Sequence, residues 1–212
     1  MKHLFKHRFA ASLLISLLSA AAGAQTTDLL AGGAGNWEPF NADNWQFVNG
    51  ELRGTTAIFD GDKTDPRASA FLVSKQTFAG NYIVSIELTF DKGRYLGVYL
   101  DFDPKTQTGI WMASGHDLPA DAPANEVARG YVKTIEKGFW IVRATGELDI
   151  EPGRRVKLGF SRRGDDYSLW NEGRLIATYR KPGGYPAGRI QLRLTNAAVR
   201  IHHIEVRTAK KR

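Results

Sequence analysis

In the run Tyr82-Ile83-Val84-Ser85-Ile86-Glu87-Leu88-Thr89-Phe90 the even positions are apolar, while Ser85, Glu87 and Thr89 share the odd ones. Successive side chains of a strand point to opposite faces, so this pattern predicts a strand with one buried face. The segment Tyr95 to Asp103 repeats it, with Leu96, Val98, Leu100 and Phe102 on the core side and Tyr95, Gly97, Tyr99, Asp101 and Asp103 on the other. Val156 to Phe160 and Ile190 to Leu194 alternate in the same way. Turn pairs separate the runs: Asn49-Gly50, Asp60-Gly61, Lys92-Gly93, Pro152-Gly153, Arg163-Gly164, Glu172-Gly173 and Pro182-Gly183-Gly184. No long stretch carries an apolar stripe of helical period. Many short strands between tight turns predict an all-β chain, a two-sheet antiparallel β-sandwich of the jelly-roll type. In the last run Ile201 and Ile204 are out of phase, so a bulge near His202-His203 is needed for both to face inward. Trp45 and Trp170 fall in hairpins, where a large side chain is expected to pack into the sandwich.

The chain has no Cys, so its stability rests on packing, and thiolate metal sites and a Cys nucleophile are excluded. Its formal charge of +7 is concentrated at the ends. Lys2, Lys6 and Arg8 precede the apolar run around Leu13 to Leu18, and Ala22-Gly23-Ala24 follows as a small-residue cleavage site. Residues 1–24 are therefore expected to be a signal peptide, 25–207 one sandwich domain and 208–212 a basic tail. Export would place the protein in the periplasm or outside the cell. No second apolar run nears the roughly 20 residues of a membrane-spanning helix. The best internal basic cluster, Arg154-Arg155-Lys157 with Arg162-Arg163, is diluted by Glu147, Glu151, Asp165 and Asp166, which argues against nucleic acid as a partner. Neither a G-x-S-x-G elbow nor a phosphate-cradling Gly loop is present.

The order of the pieces resembles the concanavalin A-like jelly roll, in the branch that holds laminin-G-like domains and the 3-keto-disaccharide hydrolase domain. Trp45-Gln46-Phe47-Val48-Asn49-Gly50-Glu51-Leu52 is similar to its opening hairpin, and Tyr82 to Phe90 to its long strand. Gly153 to Tyr179, turning at Trp170-Asn171-Glu172-Gly173, resembles its later hairpin, and Gly188 to Leu192 with Val199 to Val206 its closing strands. This chain carries Tyr95-Leu96-Gly97 where the hydrolases tend to have Asn-Ser-Gly, and Arg193-Leu194-Thr195-Asn196 where they tend to have Gln and His. The resemblance implies a sugar-directed protein. If it extends to hydrolase activity, a carboxylate such as Glu87, with Asp101, would act as base.

Glu147-Leu148-Asp149-Ile150-Glu151 resembles the E-x-D-x-E signature of family 16 glycoside hydrolases. On one strand its three carboxylates would share a face, with Leu148 and Ile150 in the core. Pro152-Gly153 then ends the strand, so a solvated strand end is the competing reading. Asp60, Asp62 and Asp65 cluster in a turn that would suit Ca²⁺, although no reading of the chain requires a cofactor. Carbohydrate is the expected partner: a ring's apolar face stacks on an aromatic side chain while charged groups bind its hydroxyls. Tyr95, Tyr99, Trp111, Arg129 and Tyr131, with Glu87 and Asp101, are expected on outward faces of central strands as such a groove. A carbohydrate-binding domain is thus the leading expectation, and a glycoside-active enzyme the alternative.

Overall fold

The computed structural model describes residues 24–38, 43–56, 69–115, 127–136 and 139–209. Among these residues fifteen strands follow in chain order: β1 Gln25–Asp28, β2 Trp37–Glu38, β3 Trp45–Val48, β4 Glu51–Thr55, β5 Ser69–Phe78, β6 Tyr82–Lys92, β7 Leu96–Asp103 and β8 Thr108–Ser114. Then come β9 Ala128–Glu136, β10 Phe139–Leu148, β11 Arg155–Arg163, β12 Asp166–Asn171, β13 Arg174–Arg180, β14 Gly188–Thr195 and β15 Ala198–Thr208. They pair antiparallel into two sheets. The first runs β13-β12-β11-β6-β15-β4-β3, with β1 sharing the free side of β15, and the second runs β10-β9-β8-β7-β14-β5-β2. The expected two-sheet antiparallel jelly roll is the fold.

Alternation assigns the interior. Val84, Ile86, Leu88 and Phe90 of β6 face Leu96, Val98 and Leu100 of β7 across the sandwich, joined by Val156, Leu158, Phe160, Ile190, Leu192 and Leu194. Trp37 and Trp45 fill the same core. The hairpin β3–β4 turns at Asn49 and Gly50, both at positive φ, the geometry of a two-residue hairpin turn. Residues Ile201 and Ile204 are both fully buried because the register of β15 on β6 slips between Ile201 and His203, the bulge their phase requires. His202 lies on the outer side, bonded through Nδ1 to Glu51 at 2.7 Å and through Nε2 to Thr89 at 3.0 Å.

Three side chains, Trp170, Asp101 and Phe102, lie on the face opposite to the one expected. Trp170 does not enter the sandwich: it lies on the outer face of the first sheet over Gly159, its Nε1–H donating to Ser161 Oγ at 3.0 Å. Asp101 does not point outward. The register of β7 on β8 shifts between Leu100 and Asp103, and Asp101 takes φ 54°. This inserted residue reverses the alternation, so Asp101 turns inward and Phe102 joins the outer face beside Tyr99.

Inside, the Asp101 carboxylate accepts from Tyr82 Oη at 2.8 Å, Tyr167 Oη at 2.7 Å and Arg162 Nη1 at 2.9 Å, all from the first sheet. Its side chain is 0% exposed and that of Arg162 only 12%. Burial pushes the Asp101 carboxyl above its ordinary value, and the hydrogen bonds from Tyr167, Tyr82 and Arg162 oppose the shift. A satisfied buried pair contributes little beyond an apolar substitute, but breaking one strands a charge. Asp101→Asn, which sets an amide donor against three donors, is expected to lower unfolding free energy by about 3–5 kcal/mol in urea denaturation. A loss below about 1 kcal/mol, the worth of one ordinary hydrogen bond, would show that the network does not tie the sheets together.

Candidate functional site

The second sheet is apolar on both sides. Behind its inner face lies the main core, and on its outer face a separate buried cluster forms from Val73, Tyr95, Tyr99, Phe102, Trp111 and Ala113. Register builds it as cross-strand rows. One row runs Val73, Gln191, Tyr99, Trp111, Lys133 and Val142 across β5, β14, β7, β8, β9 and β10. The next runs Phe71, Arg193, Gly97, Ala113, Tyr131 and Thr145.

Trp111 occupies the centre. Its ring lies 6.0 Å from Tyr95, 6.1 Å from Tyr99 and 4.8 Å from Trp140, centroid to centroid. Trp140, on the edge strand β10, also meets the Tyr99 ring edge-on at 5.8 Å. The absence of a side chain at Gly97 makes room for Trp111, since a Cβ there would collide with the indole Nε1. Lys133 Nζ sits 4.6 Å from the Trp111 ring and 4.7 Å from that of Tyr131, in range for cation–π attraction. At the other side Arg193 lies 5.3 Å over Phe71 and reaches Ser69 Oγ at 3.4 Å. Burial pushes the Tyr99 phenol up to about 12, with nearby Arg193 pulling the other way. Burial likewise raises the Tyr95 phenol far above its ordinary value.

The structure therefore brings Tyr95, Tyr99, Trp111 and Tyr131 together on one face, with Arg129 two residues before Tyr131 on the same side of β9. Their exposure differs from expectation. Trp111 is only 2% exposed, and the three tyrosines are nearly as deeply buried. They form a packed layer, and the rings this face presents to solvent are Trp140, beside Trp111 and Tyr99, and Phe71, beneath Arg193, each 43% exposed. Lys133, Arg193, Phe71 and Trp140 complete the site without having been singled out in the sequence. Parity alone puts Lys133 two residues from Tyr131 and Arg193 opposite Leu192 and Leu194. Trp140 is hidden from such counting by the register shift between Val142 and Ala144.

The expected carboxylates are not assembled here. Glu87 is on β6 in the first sheet, facing outward, and is held by Arg155 at 2.6 Å with Lys157 at 3.9 Å. The whole sandwich separates it from the aromatic face, and Asp101 is inside that sandwich. Leu148 and Ile150 are buried as the alternation requires, but β10 ends at Leu148. Glu147, Asp149 and Glu151 are exposed at the end of an edge strand, the solvated arrangement rather than a cleft. Arg154 bridges Asp149 at 2.8 Å and Glu151 at 3.9 Å. Glu147 shares the outer face with Arg129, its cross-strand neighbour. Glu38 lies on that face at the opposite edge, paired with Arg189 at 2.9 Å. Six strand intervals, roughly 29 Å along the sheet, separate these two acids. Paired-carboxylate glycoside chemistry works across about 5–9.5 Å. Asp60, Asp62 and Asp65 lie outside the described residues, and among the described residues no three His, Asp or Glu side chains converge as a metal site would need.

Solved structures share this fold. A carbohydrate binding module, CBM66 from Bacillus subtilis, superposes with a TM-score of 0.59 at 15% identity, covering 80% of this chain and 94% of that one. A prokaryotic β-1,3-1,4-glucanase (lichenase) derived from a mouse hindgut metagenome gives 0.63 at 8% identity, covering 88% and 99%. A Bacillus subtilis protein of unknown function with a galectin-like fold gives 0.57 at 12%, covering 92% and 93%. No family model matches the chain, and no curated protein matches it. The likeness is one of fold: the chain shares with these proteins the two-sheet antiparallel jelly roll.

The packing of Trp111 over Gly97 makes the aromatic layer testable. Gly97→Ala is expected to displace the indole, to cost about 1–3 kcal/mol as overpacking does, and to change the near-UV circular dichroism of the Trp111–Trp140 pair. An unchanged spectrum and stability would show that Trp111 is not pinned against β7.

Proposed function

We propose that the protein is an exported carbohydrate-binding jelly roll whose ligand lies on the outer face of the second sheet. The observation that carries this reading is the exposed Trp140 ring standing over a rigid aromatic layer, with Arg129 at the rim. An aromatic face covers the apolar C–H side of a sugar, and a ring already held by Trp111 and Tyr99 loses little conformational freedom on binding. The basic and apolar opening from Lys2 to Leu18, with Ala22-Gly23-Ala24, supports export to the periplasm or beyond. CBM66 and the lichenase share the fold, which agrees with a glycan-directed role for this chain.

Binding is favoured over hydrolysis by the placement of acids. Among the described residues the two carboxylates on this face, Glu38 and Glu147, stand at opposite edges, and Glu87 is engaged on the other sheet. An array of packed rings and cations orients a sugar but supplies no proton donor and nucleophile in reach of one bond.

A glycan array followed by titration of the best ligand tests the reading. Trp140→Ala is expected to weaken binding by roughly thirtyfold, the cost of removing an aromatic hot spot. Because that side chain is half-exposed, the melting temperature should change little. An array on which the protein binds no glycan would overturn the proposal. So would a Trp140→Ala variant that binds as tightly as the parent.

A further inference from the structure

Charge is distributed differently on the two outer faces. On the first sheet four arginines have carboxylate partners, Arg53 with Glu51, Arg155 with Glu87, Arg200 with Asp91 and Arg207 with Glu205, while Arg163, Arg174 and Arg180 toward the β13 edge form no ion pair with a described carboxylate. Arg162, between the sheets, has Asp101. On the second sheet Arg189 is paired with Glu38 at the edge. Arg193, nearer the centre of that sheet, has no carboxylate beside it among the described residues. Its neighbours are the Phe71 ring, Ser69 Oγ and the Tyr99 phenol, and its Nε–H is buried without a hydrogen-bond partner. Arg129, exposed on β9, likewise forms no ion pair with Glu147, its cross-strand neighbour, or with any other described carboxylate.

A guanidinium laid on an aromatic ring, partly withdrawn from water and lacking an internal acid, keeps both its charge and its capacity for paired hydrogen bonds to an anion. Here it adjoins the aromatic layer. Tyr99 lies between Arg193 and Trp140, its ring 5.8 Å from that of Trp140. The stacking ring and the cation are thus one tyrosine side chain apart, a span suited to one or two pyranose rings.

Resting on the glycan-binding reading above, we infer that this face selects acidic saccharides, Arg193 receiving the anionic substituent of one sugar unit while Trp140 stacks on that unit or its neighbour. Arg129 marks the rim along which further acidic units pass. Carboxylate and sulfate share the required chemistry, a compact anion that presents two acceptor oxygens to one guanidinium, and the experiment separates them.

The test is titration of the purified protein with matched polymers: polygalacturonate against its methyl ester, and dextran sulfate against dextran. The expected result is at least about tenfold tighter binding of an acidic polymer than of its neutral counterpart, weakening as salt is raised, with the two pairs showing which anion is preferred. Arg193→Gln should remove most of that preference and Arg129→Gln a smaller part. Arg200→Gln, which deletes one positive charge from the opposite sheet, should leave it intact. If Arg193→Gln does not fold by near-UV circular dichroism, the preference of the parent protein and the loss in Arg129→Gln still decide the question. Equal binding of the acidic and neutral forms would overturn the inference and leave the glycan-binding reading standing. An equal loss in Arg200→Gln would also overturn it, since attraction would then be a property of overall charge. Binding of none of the four polymers, nor of any glycan on the array, would overturn both.

Discussion

Filling the space between two sheets with alternate side chains, without one disulfide to assist, sets the register of every strand in this protein. A slip of one residue would send an entire row of Val, Ile, Leu and Phe to the opposite face. The runs on β6, β7, β11 and β14 therefore hold their partners tightly, and irregularity is confined to bulges. At Asp101 an inserted residue turns a carboxylate inward to three donors and sends Phe102 outward. At His202 another lets Ile201 and Ile204 both reach the core. Each bulge trades a ladder hydrogen bond for a change of side, and each change places a residue where simple alternation would not.

The two outer faces are unlike. The first sheet meets water with paired charges, in which Arg200 grips Asp91 and Arg155 grips Glu87. The second sheet is instead covered by a layer of aromatic rings centred on Trp111, with cations resting on ring faces rather than on acids. Aromatic packing of this kind is costly to leave half-wet unless something binds there, and Trp140 and Phe71 are left partly exposed on it. The asymmetry sets the outer face of one sheet apart from that of the other before any ligand is considered.

The same asymmetry bears on catalysis. A glycosidase needs two acids facing one bond, whereas the acids resembling known catalytic motifs are dispersed here. Glu147, Asp149 and Glu151 form a solvated strand end engaged with Arg154, and Glu87 belongs to the ion-paired sheet. A short motif records spacing along one strand. Its chemistry depends on which neighbouring strands flank it, and β10 has a neighbour on one side only.

Alternation and turn residues by themselves determined the all-β class, the two sheets, the hairpin at Asn49-Gly50, the bulge before Ile204 and the clustering of Tyr95, Tyr99, Trp111 and Tyr131 on outward faces. These are local properties, since a two-residue period and a positive-φ turn need no knowledge of distant chain. Only the tertiary structure decided that Glu87 and Tyr99 belong to opposite sheets, that Asp101 is interior, that Trp170 lies outside, and that Trp140 rather than Trp111 meets solvent. Parity tells which side of its own strand a residue takes, but not which sheet the strand joins, where a bulge resets the count, or which other ring already covers it. Those depend on pairings between residues far apart in the chain, such as Gln191 with Tyr99 and Arg193 with Phe71, which exist only once the sheets have closed on their shared core.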